Sequence, residues 1–215
     1  MSIIPSFEDF EEQYENSNNQ VLFKRLAADL DTPVSIIMKL TAMQKNSFVL
    51  ESVTGGEVRG RYSMIGMKPD LIWKCKDKES FLNRNARFDD DDFIEQTAPP
   101  LEAFRSLLCE SYIKLPDDLP QSCAGLFGYL GYDMIRLIEH LPNINPDPLR
   151  LPDALFLRPS VVAVLDGVKG EVILVAPVWH NSHISAKVAY AQAAERIMDS
   201  VRDLERPLPD PRDLG

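Results

Sequence analysis

Between Phe48 and Gly66 the sequence reads FVLESVTGGEVRGRYSMIG. Two apolar runs flank a glycine-containing stretch. Where they meet stand a carboxylate (Glu51), a hydroxyl (Ser52), a guanidinium (Arg61) and a phenol (Tyr62). Neighbouring strand residues face opposite ways, so Glu51 and Ser52 cannot both turn side chains to one face. One offers its side chain and the other its backbone. A carboxylate with backbone carbonyls suits an ammonium group, while a serine hydroxyl or Arg61 suits a carboxylate. Together these groups match an amino acid zwitterion. They also match, and more simply, a plain hairpin mouth closed by a Glu51–Arg61 ion pair of about 0–1 kcal/mol. Residue chemistry leaves both readings open.

Other chemistries find less support. GGEVRGRYS has no lysine placed for a phosphate, and GLFGYLG spaces Gly125, Gly128 and Gly131 by three, which is not G-x-G-x-x-G. His180 and His183 stand at i, i+3 beside Trp179, with no acidic or cysteine ligand nearby, and read as solvated loop imidazoles. His140 follows Glu139 near an expected helix C-terminus, a position that favours partial positive charge. No serine sits in G-x-S-x-G, and no cysteine carries a local nucleophile signature. The run Asp89–Asp92 reads as a solvated loop.

The elements that must position these groups follow from periodicity and turn chemistry. Ser6 opens a short helix carrying Phe7, Phe10 and Tyr14, and residues 16–19 end it. Residues 31–40, DTPVSIIMKL, read as a strand with Pro33 at its first position. Residues 48–53 form a second strand. Residues 62–66 and 70–76 form return strands, with Met67-Lys68-Pro69 as a break. Residues 83–100 read as an exposed loop with a short strand near Phe88. Leu101, Phe104, Leu107, Leu108 and Tyr112 mark an amphipathic helix. Residues 123–142 read as a glycine-rich strand and a short helix, followed by a proline-rich connection. Residues 154–165 and 171–179 are two apolar strands joined by DGVKG, a hairpin. Residues 184–204 carry the longest helical stripe, and ERPLPDPRDLG beyond it reads as a linker.

The 215 residues suit one large domain, and 45% hydrophobic with 26% charged residues is ordinary for a soluble globular chain. Strands that pair with sequence neighbours, with few helices, imply an α+β fold of mainly antiparallel sheet. A net charge of −10 disfavours nucleic acid and anionic membrane as partners. No apolar stretch approaches the ~20 residues that span a bilayer. Cys75, Cys109 and Cys123 are odd in number and far apart, which argues against a disulfide framework or structural zinc and suits reduced cytoplasmic thiols.

Three stretches carry a family resemblance. VLESVTGGEVRGRYSMIG resembles the L-L-E-S-V…G-R-Y-S-[IF]-I-G wording of anthranilate synthase component I. AGLFGYLGYDMIRLIEHLP resembles that family's G-G-x-x-G-Y-x-G-Y-D-x-[VI]-R-x-x-E. LPDALFLRPSVVAVLDGVKGEVILV resembles its P-D…F-D-H strand pair, although Leu165-Asp166-Gly167 stands where F-D-H is usual. The motifs occur in the family's order from about Pro33 to Leu204.

The resemblance implies sheets packed together with flanking helices. It implies that residues 1–204 are the N-terminal regulatory domain and 205–215 a linker toward a C-terminal chorismate-binding domain. The family's enzyme converts chorismate and ammonia to anthranilate and pyruvate with Mg²⁺, and ammonia comes from a glutamine amidotransferase subunit or fused domain. The chorismate and Mg²⁺ residues belong to the C-terminal half, so no catalytic residue carries over and these 215 residues alone are expected to be inactive. What carries over is the L-tryptophan feedback site: Leu50, Glu51 and Ser52 from L-E-S, and Arg61 and Tyr62 from the segment matching G-R-Y-S. Component I of aminodeoxychorismate synthase, a stand-alone amino-acid-binding module and a merely structural domain remain the alternatives.

Overall fold

The computed structural model describes residues 2–41, 44–51, 60–142 and 146–208. Its elements are α1 (Phe7–Glu15), β1 (Gln20–Ala27), α2 (Pro33–Thr41), β2 (Phe48–Leu50), β3 (Tyr62–Lys76), β4 (Glu79–Asn83), β5 (Ile94–Glu95), α3 (Pro100–Glu110), β6 (Phe127–Leu130), a 3₁₀ helix (Tyr132–Leu137), β7 (Ala154–Asp166), β8 (Glu171–Val178) and α4 (Ala186–Leu204). This is an α+β fold, and the described strand pairings are antiparallel. The chain divides into two compact units: residues 1–68, 113–124 and 160–215, and residues 69–112 and 125–159. The chain passes between them four times: within β3 and β7 beside Pro69 and Pro159, and at residues 112–113 and 124–125.

In the first unit β1, β8 and the end of β7 form a ladder running from Gln20↔Val178 to Ala27↔Glu171 and from Val162↔Val175 to Asp166↔Glu171. Helix α4 packs on β8. Ser185 caps it by accepting from the Val188 amide, and Ala186, Ala189, Ala193, Ile197 and Val201 form its buried stripe. Arg196 of α4 donates to the carbonyls of Ser160 and Pro177, which satisfies its guanidinium on the sheet beneath. Helix α1 contributes Phe10 and Tyr14 to the same core. Phe10 meets Tyr190 edge-on at 5.3 Å, a preferred aromatic geometry.

The second unit is built around Trp73, whose ring lies 4.8 Å from Phe104 and which is joined in its core by Leu71, Cys75, Leu82, Leu107, Met134 and Ala154. Arg158 is buried. It is held bidentately by Asp70 at 2.9 Å to each oxygen and by Glu110 at 3.2 Å. Burial raises the thiols of Cys75 to about 11 and of Cys123, in the first unit, to about 12, so both are inert.

Three expectations change. Residues 33–41 form a helix, not a strand. Thr32 and Ser35 exchange side-chain and backbone hydrogen bonds as a capping box, Pro33 occupies the first helical position, and Ile36 and Leu40 bury one face four residues apart. The apolar β-branched composition masked that spacing. The expected break at residues 67–69 lies inside one continuous strand, β3, where Lys68 takes a left-handed φ of 51° and its carbonyl accepts from Ser160. Phe88 is exposed in a turn, and the short strand lies at Ile94–Glu95 instead. β1 was not foreseen because Val21, Leu22 and Phe23 are all buried and show no alternation.

Of the three spaced glycines, Gly128 and Gly131 serve close packing, whereas Gly125 adopts a positive φ in open space. Gly128 pairs with Phe156, and a Cβ on Gly128 would stand 1.9 Å from the carbonyl oxygen of Leu155, a clash with backbone that no rotamer relieves. Gly128→Ala should therefore destabilise by about 1–3 kcal/mol or more, read as a lower Tm in thermal unfolding. An unchanged Tm would show that β6 does not press on β7.

Candidate functional site

β2 and β3 pair as Phe48↔Gly66, Val49↔Ile65 and Leu50↔Met64. The Phe48 ring occupies the space a side chain at Gly66 would need, with ring atoms 2.3 Å from where its Cβ would lie. That close approach seats β2 on β3. The ladder stops at Leu50, so Glu51 leaves the sheet opposite the start of β3. Leu50 and Glu51 are both exposed, and Glu51 has no hydrogen-bond or ionic partner among the described residues. Ser52 lies outside the described residues.

Arg61 is not paired with Glu51. Its Nε donates to Oδ1 of Asp166 at 2.9 Å and its Nη2 to Oδ2 at 2.6 Å, a bidentate fork. The Asp166 side chain is 2% exposed and that of Arg61 28%. Asp166 Oδ1 also accepts from the amides of Val168 and Lys169 in the β7–β8 turn. The Arg61 carbonyl accepts from the Gly167 amide at 2.9 Å, so main chain and side chain bind the same turn. The Arg61 guanidinium carbon lies 4.9 Å from the centroid of the Tyr62 ring, a cation–π contact. Among the described residues Nη1 of Arg61 has no partner. Among the described residues the mouth therefore holds an unpaired Glu51 carboxylate, an exposed leucine and a guanidinium fixed on two of its three nitrogens.

Asp166 was legible only as turn chemistry. Its functional signal was an aspartate ending a run of apolar strand residues, where a buried charge needs a cation brought from elsewhere in the chain. Burial raises its pKa, but the Arg61 hydrogen bonds and the turn amides outweigh that and hold it below its ordinary value. Nor do the other sequence candidates assemble. His180 packs on Tyr14 at 4.9 Å, His183 is exposed, and among the described residues no group of three or more His, Cys, Asp or Glu is placed to hold a metal ion. No helix of the described residues is long and apolar enough to cross a membrane.

A depressed folded-state pKa contributes stability that is complete above the unfolded value of 3.8 and is lost as pH falls through the folded value. The Tm gap between the native protein and Asp166→Asn should be constant above about pH 5 and shrink on acidification below that. A gap that does not vary with pH would show that folding leaves the carboxyl's pKa unchanged, and a gap that widens on acidification would show a carboxyl kept neutral in the fold.

No protein-family model matches the chain. Anthranilate synthase component 1 of Cereibacter sphaeroides is 62% identical over 210 residues, which is 98% of this chain and 42% of that protein. The same component of Thermus thermophilus is 35% identical over 186 residues, 86% of this chain and 36% of that protein. The crystal structure of anthranilate synthase component I from Streptococcus pneumoniae superposes with a TM-score of 0.54 at 20% identity, covering 88% of this chain and 38% of that one, which supports the fold. The chain thus spans about two fifths of the curated relatives it matches, and over that span it belongs to the anthranilate synthase component 1 family.

Proposed function

We propose that this chain is the tryptophan-sensing, N-terminal part of an anthranilate synthase component I, whose complete form makes anthranilate and pyruvate from chorismate and ammonia. The observation that carries the reading is 62% identity to a protein of that name along 98% of the chain. The site adds chemistry to it. Glu51 offers a carboxylate with no partner among the described residues for an ammonium group, Arg61 offers Nη1 for a carboxylate, and Leu50 offers exposed apolar surface for an indole. Ser52 and Tyr62 complete the set by sequence position.

By the family resemblance, the Mg²⁺ and the chorismate-handling groups are assigned to the family protein's other three fifths. A glutamine amidotransferase supplies the ammonia. On this reading residues 1–215 alone carry no synthase activity. Tryptophan bound at the mouth favours one arrangement of the whole protein over another, and linkage requires chorismate to weaken tryptophan binding by the same factor.

The test uses the full-length protein, with ammonia-dependent anthranilate formation followed by fluorescence. Glu51→Ala and Ser52→Phe should each raise the tryptophan concentration for half-inhibition by about tenfold or more. Activity and inhibition falling together would count against a regulatory site, and absence of anthranilate formation would overturn the enzyme assignment.

A further inference from the structure

The family resemblance points at Arg61 but is silent about what aims it. We infer that Asp166 is a positioning residue for amino acid recognition: it holds Arg61 by two nitrogens and leaves Nη1 presented to the ligand carboxylate. The inference rests on the reading of the mouth as an amino acid site.

Four observations carry it. The fork is bidentate, with Nε and Nη2 on separate oxygens, so rotation of the guanidinium plane would break both bonds. The carboxylate cannot follow Arg61 out toward solvent, because it is buried and Oδ1 is held by two turn amides. The Gly167 amide donates to the Arg61 carbonyl, which fixes the backbone from which the side chain starts. The Tyr62 ring covers the guanidinium. An arginine otherwise loses considerable side-chain freedom when it orders on a ligand. Here that freedom is already spent before binding, which is preorganisation.

Two simpler roles make different predictions. If Asp166 only clips the hairpin, its loss lowers stability and leaves ligand affinity alone. If it acts only through its field, its negative charge opposes the ligand carboxylate, and neutralising it strengthens binding of an anion. Positioning predicts the opposite sign.

The experiment measures L-tryptophan and indole-3-propionate, which keeps the carboxylate and lacks the ammonium. Both are titrated into the full-length protein by calorimetry, directly or by competition. Asp166→Asn should weaken both ligands by about tenfold, and should have no further effect in an Arg61→Ala background. Asp166→Glu, which keeps the charge one methylene farther out, should fall between, and it serves as the working variant if Asp166→Asn does not fold. Unchanged affinities beside a lowered Tm would overturn the inference in favour of a hairpin clip. Tighter binding of indole-3-propionate would overturn it in favour of a field effect. Failure of the native protein to bind tryptophan would overturn the site itself. Tryptophan binding that Arg61→Ala weakens and Asp166→Asn does not would sink the positioning role alone.

Discussion

A carboxylate inside a core is tolerable only when donors surround it. Asp166 meets that constraint with four: two from Arg61 and two from the turn that follows it. Much of the geometry around the mouth follows. The turn closes because its amides have an acceptor. Arg61 enters β3 at a set angle because its guanidinium is required at Asp166. β3 then carries Met64, Ile65 and Gly66 into register with β2, and the Phe48 ring settles over Gly66. The position where Glu51 leaves the sheet is thus fixed by an interaction more than a hundred residues away in sequence.

The second unit solves a matching problem with the opposite charge. Arg158 is buried in it, and its guanidinium is satisfied by Asp70, Glu110 and the Ser111 hydroxyl. Arg84 shares Glu110 in a second fork, and the hydrogen bonds from Arg84, ahead of the field of Arg158, hold Glu110 below the usual carboxylate range. In both units a strand interior accepts a charge only where a distant segment supplies its counterpart. Such pairs add little net stability, but losing one partner strands the other. That asymmetry specifies which segments meet.

The local elements were readable because their signals are local. Ser6 and Ser185 cap helices with the expected stripes, and DGVKG turns between two apolar runs. Misreadings arose where two local signals competed. In DTPVSIIMKL the β-branched residues argue for strand while T-P-x-S and the Ile36–Leu40 spacing argue for helix, and capping with burial of one face prevails. At Met67-Lys68-Pro69 a proline suggested an ending, yet one left-handed residue lets β3 continue. For the candidate site, residue types were legible and pairing was not. Glu51 and Arg61 are opposite charges only ten residues apart along the mouth, but no sequence pattern reveals that Arg61 pairs with Asp166 instead. Proximity along a chain is a poor guide to ion pairs in a sheet that brings ends of distant strands together.

The charge count of the mouth bears on what it admits. On the proposed reading, two carboxylates, Glu51 and Asp166, stand against the Arg61 guanidinium, leaving one net negative charge among these described residues of the mouth. Bare anions are then repelled overall, although Arg61 still presents a directed donor. An ammonium group is attracted, so a carboxylate that arrives with one binds more tightly than a carboxylate alone. A zwitterion satisfies both terms, whereas a dicarboxylate such as chorismate and an aminobenzoate such as anthranilate bring negative charge without an aliphatic ammonium. By this argument the residues that make the mouth fit an amino acid also disfavour substrate and product of the proposed reaction there. A feedback site needs that separation, since an effector that competed with substrate at its own pocket would report the ratio of the two and not the level of the end product.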